Sequence, residues 1–393
     1  MSSPSVAWVC RAYAKVYWRL ILDFGLNEQQ EMMQTLARDF LTAEYTDKVL
    51  KAMVKDERGY TPELWKKMAA TNLLGLSLPE KYGGVGDFLD LVVVLEEMGR
   101  VCFLGPYFSS VVLGASLIME AGSEAQKQQY LTGIAEGKTI ITLALNESSD
   151  NYTSDEIKLK AIAQNDSYIL SGTKIFVPDA QTADYAICAA RTDKGITLFI
   201  VDLKTSGITI TPYQTVAGDK QGEIIFKNVN VSSQDILGEV NHGWQYIEKT
   251  LQKANVAHCA EMVGMAEQAL KLTLDYAKER MAFGHPIGAF QSIQHRCADM
   301  KMDIDGARFV TYQSAWKINE GLDAEKDTAA AKAFVSQACK RVMHSAHQVF
   351  GAIGFTEDHI LHYYTKRTRA YEFSFGGADT QLAKLAGGIS LNI

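Results

Sequence analysis

The hydrophobic period of this chain changes twice, and that double change restricts its architecture more than any single motif does. Between residues 27 and 137, LNEQQEMMQTLARDFL, PELWKKMAATNLLG and DLVVVLEEMGRV place apolar side chains three and four positions apart, the repeat of helices with one buried face. From Thr139 the repeat drops to two. TIITLALNES, IKLKAIAQ, SYILSGTKIFV, YAICAAR and ITLFIVDL read as strands, with Asn165-Asp166 and Thr192-Asp193-Lys194-Gly195 as turns. After Gly243 helical spacing returns in four long amphipathic runs separated by Gly or Pro. The expected fold is therefore α+β in three units: an N-terminal helical domain over 23–137, a central antiparallel β-barrel or sandwich over 138–242, and a C-terminal four-helix bundle over 243–393. Residues 1–22 read as an extension, disordered or outside the natural mature chain. Arg11, Lys15 and Arg19 interrupt its apolar stretch, so it suits neither a membrane span nor a secretory signal.

At 393 residues, 47% hydrophobic and 22% charged, the chain has the balance of a globular protein with more than one core. Its formal net charge of -7 lacks the basic excess of a nucleic-acid binder. Six cysteines are scattered without a C-x-x-C pair, which argues for reduced thiols in a cytoplasm rather than zinc or disulfides, and no metal site is expected. No strand is followed by G-x-G-x-x-G, so a nucleotide cofactor has to be held by something other than a Rossmann loop.

The segment YAKERMAFGHPIGAFQSIQHRCADM closely resembles the signature of the acyl-CoA dehydrogenase family, in which an Arg, a Phe-Gly, a Pro and a Phe-Gln recur at these separations. HQVFGAIGFTEDH is similar to that family's Gln-x-x-Gly-Gly-x-Gly-Phe element, and LPEKYGGVGD to a loop of its helical domain. With the α-β-α order, the resemblance runs from about Asp23 to the end. It implies an FAD-dependent enzyme that converts an acyl-CoA, straight-chain or alicyclic, to the 2-enoyl-CoA and passes electrons to an electron-transfer flavoprotein. It also implies a dimer of dimers, or a heterotetramer with a homologous subunit. Arg280, Phe283, Gln291, Gln348 and Gly351 would then hold the adenosine end of FAD, and Gly377 and Asp379 would add contacts. Their chemistry agrees: a guanidinium fork suits a pyrophosphate, a phenyl ring gives an adenine a flat face, and Gly351 and Gly354 let backbone approach closely. The ring of the flavin would meet Leu145 and Asn146 of LALNESSDNYTSD and Phe176 of KIFVPDA. There the family more often shows aromatic-Thr-Glu-Pro and Trp-Ile-Thr.

The family's base departs from its pattern here. Removal of an acyl α-proton needs a carboxylate on one face of the substrate and the flavin on the other. Most relatives supply a Glu twenty residues after the Phe of the glycine element, and that count from Phe355 reaches Phe375. Sliding the register by three makes Glu372 the base but leaves Phe373 where Gly belongs. A second family position, on the first helix of the bundle, falls on Ala254, and Glu261 lies two turns further on, roughly 10 Å and out of reach on this count. Asp87 and Asp90 occupy the region from which some relatives draw an aspartate. Glu372, Asp90 and Asp87 are thus the candidate bases, and a chain with none of them active would be a partner-dependent subunit.

Overall fold

The computed structural model describes residues 25–148 and 152–387; the expected extension, Ser149 and Asp150 lie outside these. The first helix, α1 (Glu28–Glu44), starts at a reciprocal capping box in which Asn27 and Gln30 satisfy each other's backbone N–H groups. After α2 (Asp47–Lys55), α3 (Pro62–Ala70) begins with a proline at a position where no N–H is needed and with the Thr61 hydroxyl accepting from Leu64 N. The next helix, α4 (Phe88–Arg100), is buried almost throughout, including Glu96 and Glu97. Both carboxylates are satisfied: Glu97 by Arg38 and Arg100, Glu96 by Arg308 and the Tyr312 hydroxyl. The Glu96 contacts tie α4 to the C-terminal helices, and the Arg38–Glu97 pair ties it to α1. A π-helical stretch, Phe108–Gly114, runs directly into α5 (Ala115–Ala121).

The strands are β1 (Ile141–Ala144), β2 (Lys160–Gln164), β3 (Ser167–Pro178), β4 (Tyr185–Arg191), β5 (Ile196–Asp202), β6 (Ile208–Gln214), β7 (Lys220–Ser232) and β8 (Ile236–Leu237). They form one sheet in the order β6-β7-β3-β2-β4-β5-β8, with β1 beside β4. Most pairs are antiparallel, as alternation and short turns predict, but β1 pairs with β4 in parallel and β2 touches β4 in parallel. That difference has a topological cause. β1 enters from the helical segment and is followed by a long excursion, so no hairpin fixes its direction. Along β4 alternate residues enter different cores: Ile187 and Ala189 face the helices, Ala186, Cys188 and Ala190 the opposite side. YAICAAR is apolar nearly throughout because both faces of that strand are covered.

The C-terminal part comprises α6 (Gly243–Glu279), α7 (Gln291–Asn319), α8 (Glu325–Phe350), α9 (Leu361–Phe373) and α10 (Ala378–Gly387). Helices α6, α7 and α8 pack on one another, and α6 also crosses α4, so one apolar core runs through both helical parts and onto one face of the sheet. Cys102, Cys188, Cys259, Cys297 and Cys339 are free thiols. Among the described residues no helix is long and apolar enough to cross a membrane.

Candidate active site

A cavity of about 650 Å³ lies where the helical segments meet the sheet, in the size range of a small-molecule or cofactor site. Its walls come from the π-helical stretch, the ends of β1 and β3, the start of β7, and α6 and α9. One wall is an aromatic stack. The imidazole of His258, on α6, lies between the rings of Phe108 at 3.9 Å and Tyr371 at 4.0 Å, with Phe375 at 5.4 Å. One helical turn further along α6, Glu261 Oε2 lies 3.0 Å from His258 Nδ1.

Both members of this pair line the cavity, and both are buried. Burial, reinforced by the nearby Lys332 and Arg367 cations, holds His258 well below the ordinary histidine range. Burial also pushes Glu261 up to about 8. Both shifts favour the uncharged forms, so the pair avoids carrying two charges. Glu261 Oε1 makes no hydrogen bond among the described residues. Ala254, from which the distance to Glu261 was counted along the helix, is not part of the cavity wall, whereas His258 and Glu261 are.

Three other acids line the cavity, each already engaged. Glu147 is ion-paired with Lys174 at 2.7 Å and accepts from the N–H groups of Lys158 and Leu159. Asp219 accepts from Thr215 and Gln221. Asp179 accepts from the Ser109 hydroxyl at 2.7 Å, and burial raises it to about 7.

Of the residues expected around the flavin ring, Leu145, Asn146 and Phe176 come together on the cavity wall. The Leu145 carbonyl accepts from Lys174 Nζ, the Asn146 carbonyl from Ile175 N, and Asn146 Nδ2 donates to the Tyr152 hydroxyl. Phe176 is held at a positive φ of 51° with 54% of its surface exposed. The residues expected at the adenosine end gather elsewhere, on the surface. Arg280 caps α6, Phe283 is 93% exposed on the short hairpin of 281–286, and Gln291 opens α7. Gln348 is exposed near the end of α8, and Gly351 follows with φ 65° and open space where a Cβ would be. A Tyr276–Phe350 stack at 4.5 Å draws the ends of α6 and α8 together. Gly377 is half-buried and Asp379 exposed at the start of α10. The Arg280 guanidinium, which has no side-chain partner among the described residues, together with the exposed amides and the bare glycine backbone, has the chemistry that FAD phosphates and adenine require, and the cavity has room for a ring.

The three candidate bases lie off the cavity wall. Glu372 is paired with Arg369, whose guanidinium covers Phe373. Asp87 and Asp90 form the reciprocal capping box of α4, and Asp87 also accepts from Asn319 Nδ2. Asp87→Ala is accordingly expected to cost about 1 kcal/mol in urea-induced unfolding, as lost caps do, while leaving flavin reduction by substrate within a factor of two. Phe375, by contrast, does line the cavity, at a positive φ of 58°. Sequence reasoning missed the role of the aromatic stack around His258; the signal available was the His-x-x-Glu spacing on α6.

The chain matches the acyl-CoA dehydrogenase N-terminal domain over residues 27–138, the middle domain over 142–229 and the C-terminal domain over 241–389. It is 31% identical to the caffeyl-CoA reductase-Etf complex subunit CarC of Acetobacterium woodii, across 92% of this chain and 98% of that protein. Among solved structures it resembles butyryl-CoA dehydrogenase from Megasphaera elsdenii, with TM-score 0.86, 30% identity, and 93% and 99% of the two chains covered. It resembles equally the ChsE4-ChsE5 complex from Mycobacterium tuberculosis, with TM-score 0.86, 28% identity, and 95% and 100% covered.

Proposed function

This chain belongs to the acyl-CoA dehydrogenase family of FAD-dependent oxidoreductases, and on that premise we propose that it dehydrogenates an acyl-CoA thioester between Cα and Cβ with Glu261 as the base. The observation that carries the choice of base is the His258–Glu261 pair on the cavity wall, stacked against Phe375, the position where relatives more often have a glutamate. FAD, when bound, supplies the acceptor for the hydride that leaves Cβ. The Cα–H bond breaks toward Glu261 Oε1, and its electron pair becomes the new double bond. His258 Nδ1–H donates to Oε2, orienting the carboxylate and stabilising its ionised form. Phe108, Tyr371 and Phe375 keep water from the pair, which is why the carboxyl sits high and is a strong base once ionised.

Glu261 acts deprotonated, so single-turnover flavin bleaching by acyl-CoA under anaerobic conditions should rise about tenfold per pH unit and level off near pH 8, where the carboxyl titrates. A profile already flat from pH 6 argues against Glu261. Failure of every acyl-CoA to bleach a flavin-loaded protein argues against the reaction itself. Electron-transfer flavoprotein is the proposed oxidant of the reduced protein, supported by the likeness to the Etf-complex subunit CarC.

The exposure of Arg280, Phe283 and Gln348 in one protomer supports an assembly in which a second chain covers the adenosine end. That chain is a second copy or, as the likeness to the ChsE4-ChsE5 complex suggests, a homologous subunit. Light scattering of the purified chain, alone and co-expressed with a homologue, distinguishes the two.

A further inference from the structure

The cavity wall holds a buried cation without a carboxylate partner among the described residues. Arg367, on α9, is 2% exposed and lines the cavity. Its Nη1 and Nη2 donate to the carbonyls of Phe103 and Ala217, each at 3.2 Å, and its Nε has no acceptor. No carboxylate lies within ion-pair distance of it among the described residues. The phenol of Tyr371 interacts with the guanidinium, its ring centre 5.8 Å from the guanidinium carbon. A buried charge left this way is costly unless a ligand completes it.

The acids Asp219 and Asp179, which line the same cavity, do not complete it. Asp219 is committed to Thr215 and Gln221, and Asp179 to Ser109. Lys220, on the same wall, donates to the Val54 carbonyl. Because Tyr371 stacks on His258 at 4.0 Å, the guanidinium lies no farther than about 10 Å from the imidazole beside Glu261. An acyl chain with its α-carbon at Glu261 would thus have to span no more than about 10 Å to bring its far end to Arg367.

Resting on the dehydrogenase reading above, we propose that the substrate acyl group ends in a carboxylate, which binds the free donors of Arg367. A guanidinium presents a fixed fork suited to two carboxylate oxygens, and a site built for such a group rejects the analogue that lacks it more strongly than an apolar pocket discriminates between methylenes.

The test measures equilibrium binding of six- and eight-carbon acyl-CoAs to the flavin-loaded protein, each length with a methyl, a methyl-ketone or a carboxylate end. The carboxylate-ended series should bind at least about 100-fold more tightly than the methyl-ended series. Arg367→Met should erase that preference and Arg367→Lys should keep part of it. Methyl- or ketone-ended chains binding as tightly as carboxylate-ended ones overturn the proposal. That comparison uses the unaltered protein, so it stands even if the Arg367 variants misfold. Flavin bleaching by any of the compounds is scored separately, so the tail assignment and the dehydrogenase reading can fail independently.

Discussion

In the Glu261→Gln variant, acyl-CoA should leave the flavin band essentially unbleached under conditions where the unaltered protein goes to completion, a loss of roughly 10²–10⁴-fold. The substitution keeps the shape of the side chain, and the amide oxygen can still accept from His258 Nδ1–H, so the stack of Phe108, His258 and Tyr371 should persist. Flavin content should be unchanged. Glu372→Gln and Asp90→Asn are the controls: one residue is tied to Arg369 and the other caps α4, so both variants should bleach within a few-fold of the unaltered protein. Stability supplies a second readout. Glu261 is raised to about 8 in the fold, above its value in the unfolded chain, so its contribution is full below about pH 4.5 and is lost as pH rises through 8. The Gln variant escapes that loss and should be less destabilised between pH 6.5 and 8 than the unaltered protein, by an amount on the order of a few kcal/mol. Full bleaching by Glu261→Gln together with loss in Glu372→Gln would move the base to α9.

The order of helical, β and helical segments was legible because each rests on a local period, and burial on one or two faces imposes that period directly. The residues assigned to the adenosine end could be proposed from sequence for a related reason: Arg280, Phe283 and Gln291 lie within one short stretch whose spacing matches the family signature. The proposed base, Glu261, was not legible: the surroundings of its partner His258 are assembled from Phe108 in the π-helical stretch, Tyr371 on α9 and Phe375 after it, none of which is near Glu261 in sequence. Counting along α6 from Ala254 measured distance on one helix, while the cavity is located by where three elements converge. Arg367 was hidden differently. It sits in the run Lys366-Arg367-Thr368-Arg369, which reads as a solvated helix face, yet Lys366 and Arg369 are exposed while Arg367 turns inward. Charge composition alone cannot tell which member of such a run is buried. The parallel pairing of β1 with β4 was equally invisible, since alternation fixes which face a residue takes and not which strand lies beside it.

The second large effect should come from two glycines that lie off the cavity wall. Helices α4 and α6 cross in backbone contact: a Cβ on Gly264 would lie 1.9 Å from the Glu96 carbonyl oxygen, and one on Gly99 would lie 2.0 Å from the carbonyl oxygen of Glu261 itself. These obstacles are main-chain atoms and cannot rotate away, so an alanine at either position has to push the helices apart. Overpacking in cores costs about 1–3 kcal/mol where side chains give way, and here the cost should reach or exceed the upper value. The contact also bears on chemistry. Glu261 is held between the Gly99 crossing at its own carbonyl and His258 one turn earlier, and Glu96 anchors α4 to Arg308 and Tyr312. Displacing α6 by the length of a methyl group would shift the carboxylate relative to the bound acyl chain, and misplacement on that scale costs about 100-fold in rate. Gly264→Ala should therefore lower both the urea midpoint and the single-turnover bleaching rate, the latter measured well below its unfolding temperature. A variant that loses stability but bleaches at the unaltered rate would show that the helix crossing does not position Glu261. One that keeps both would mean the two backbones are farther apart than this close approach requires.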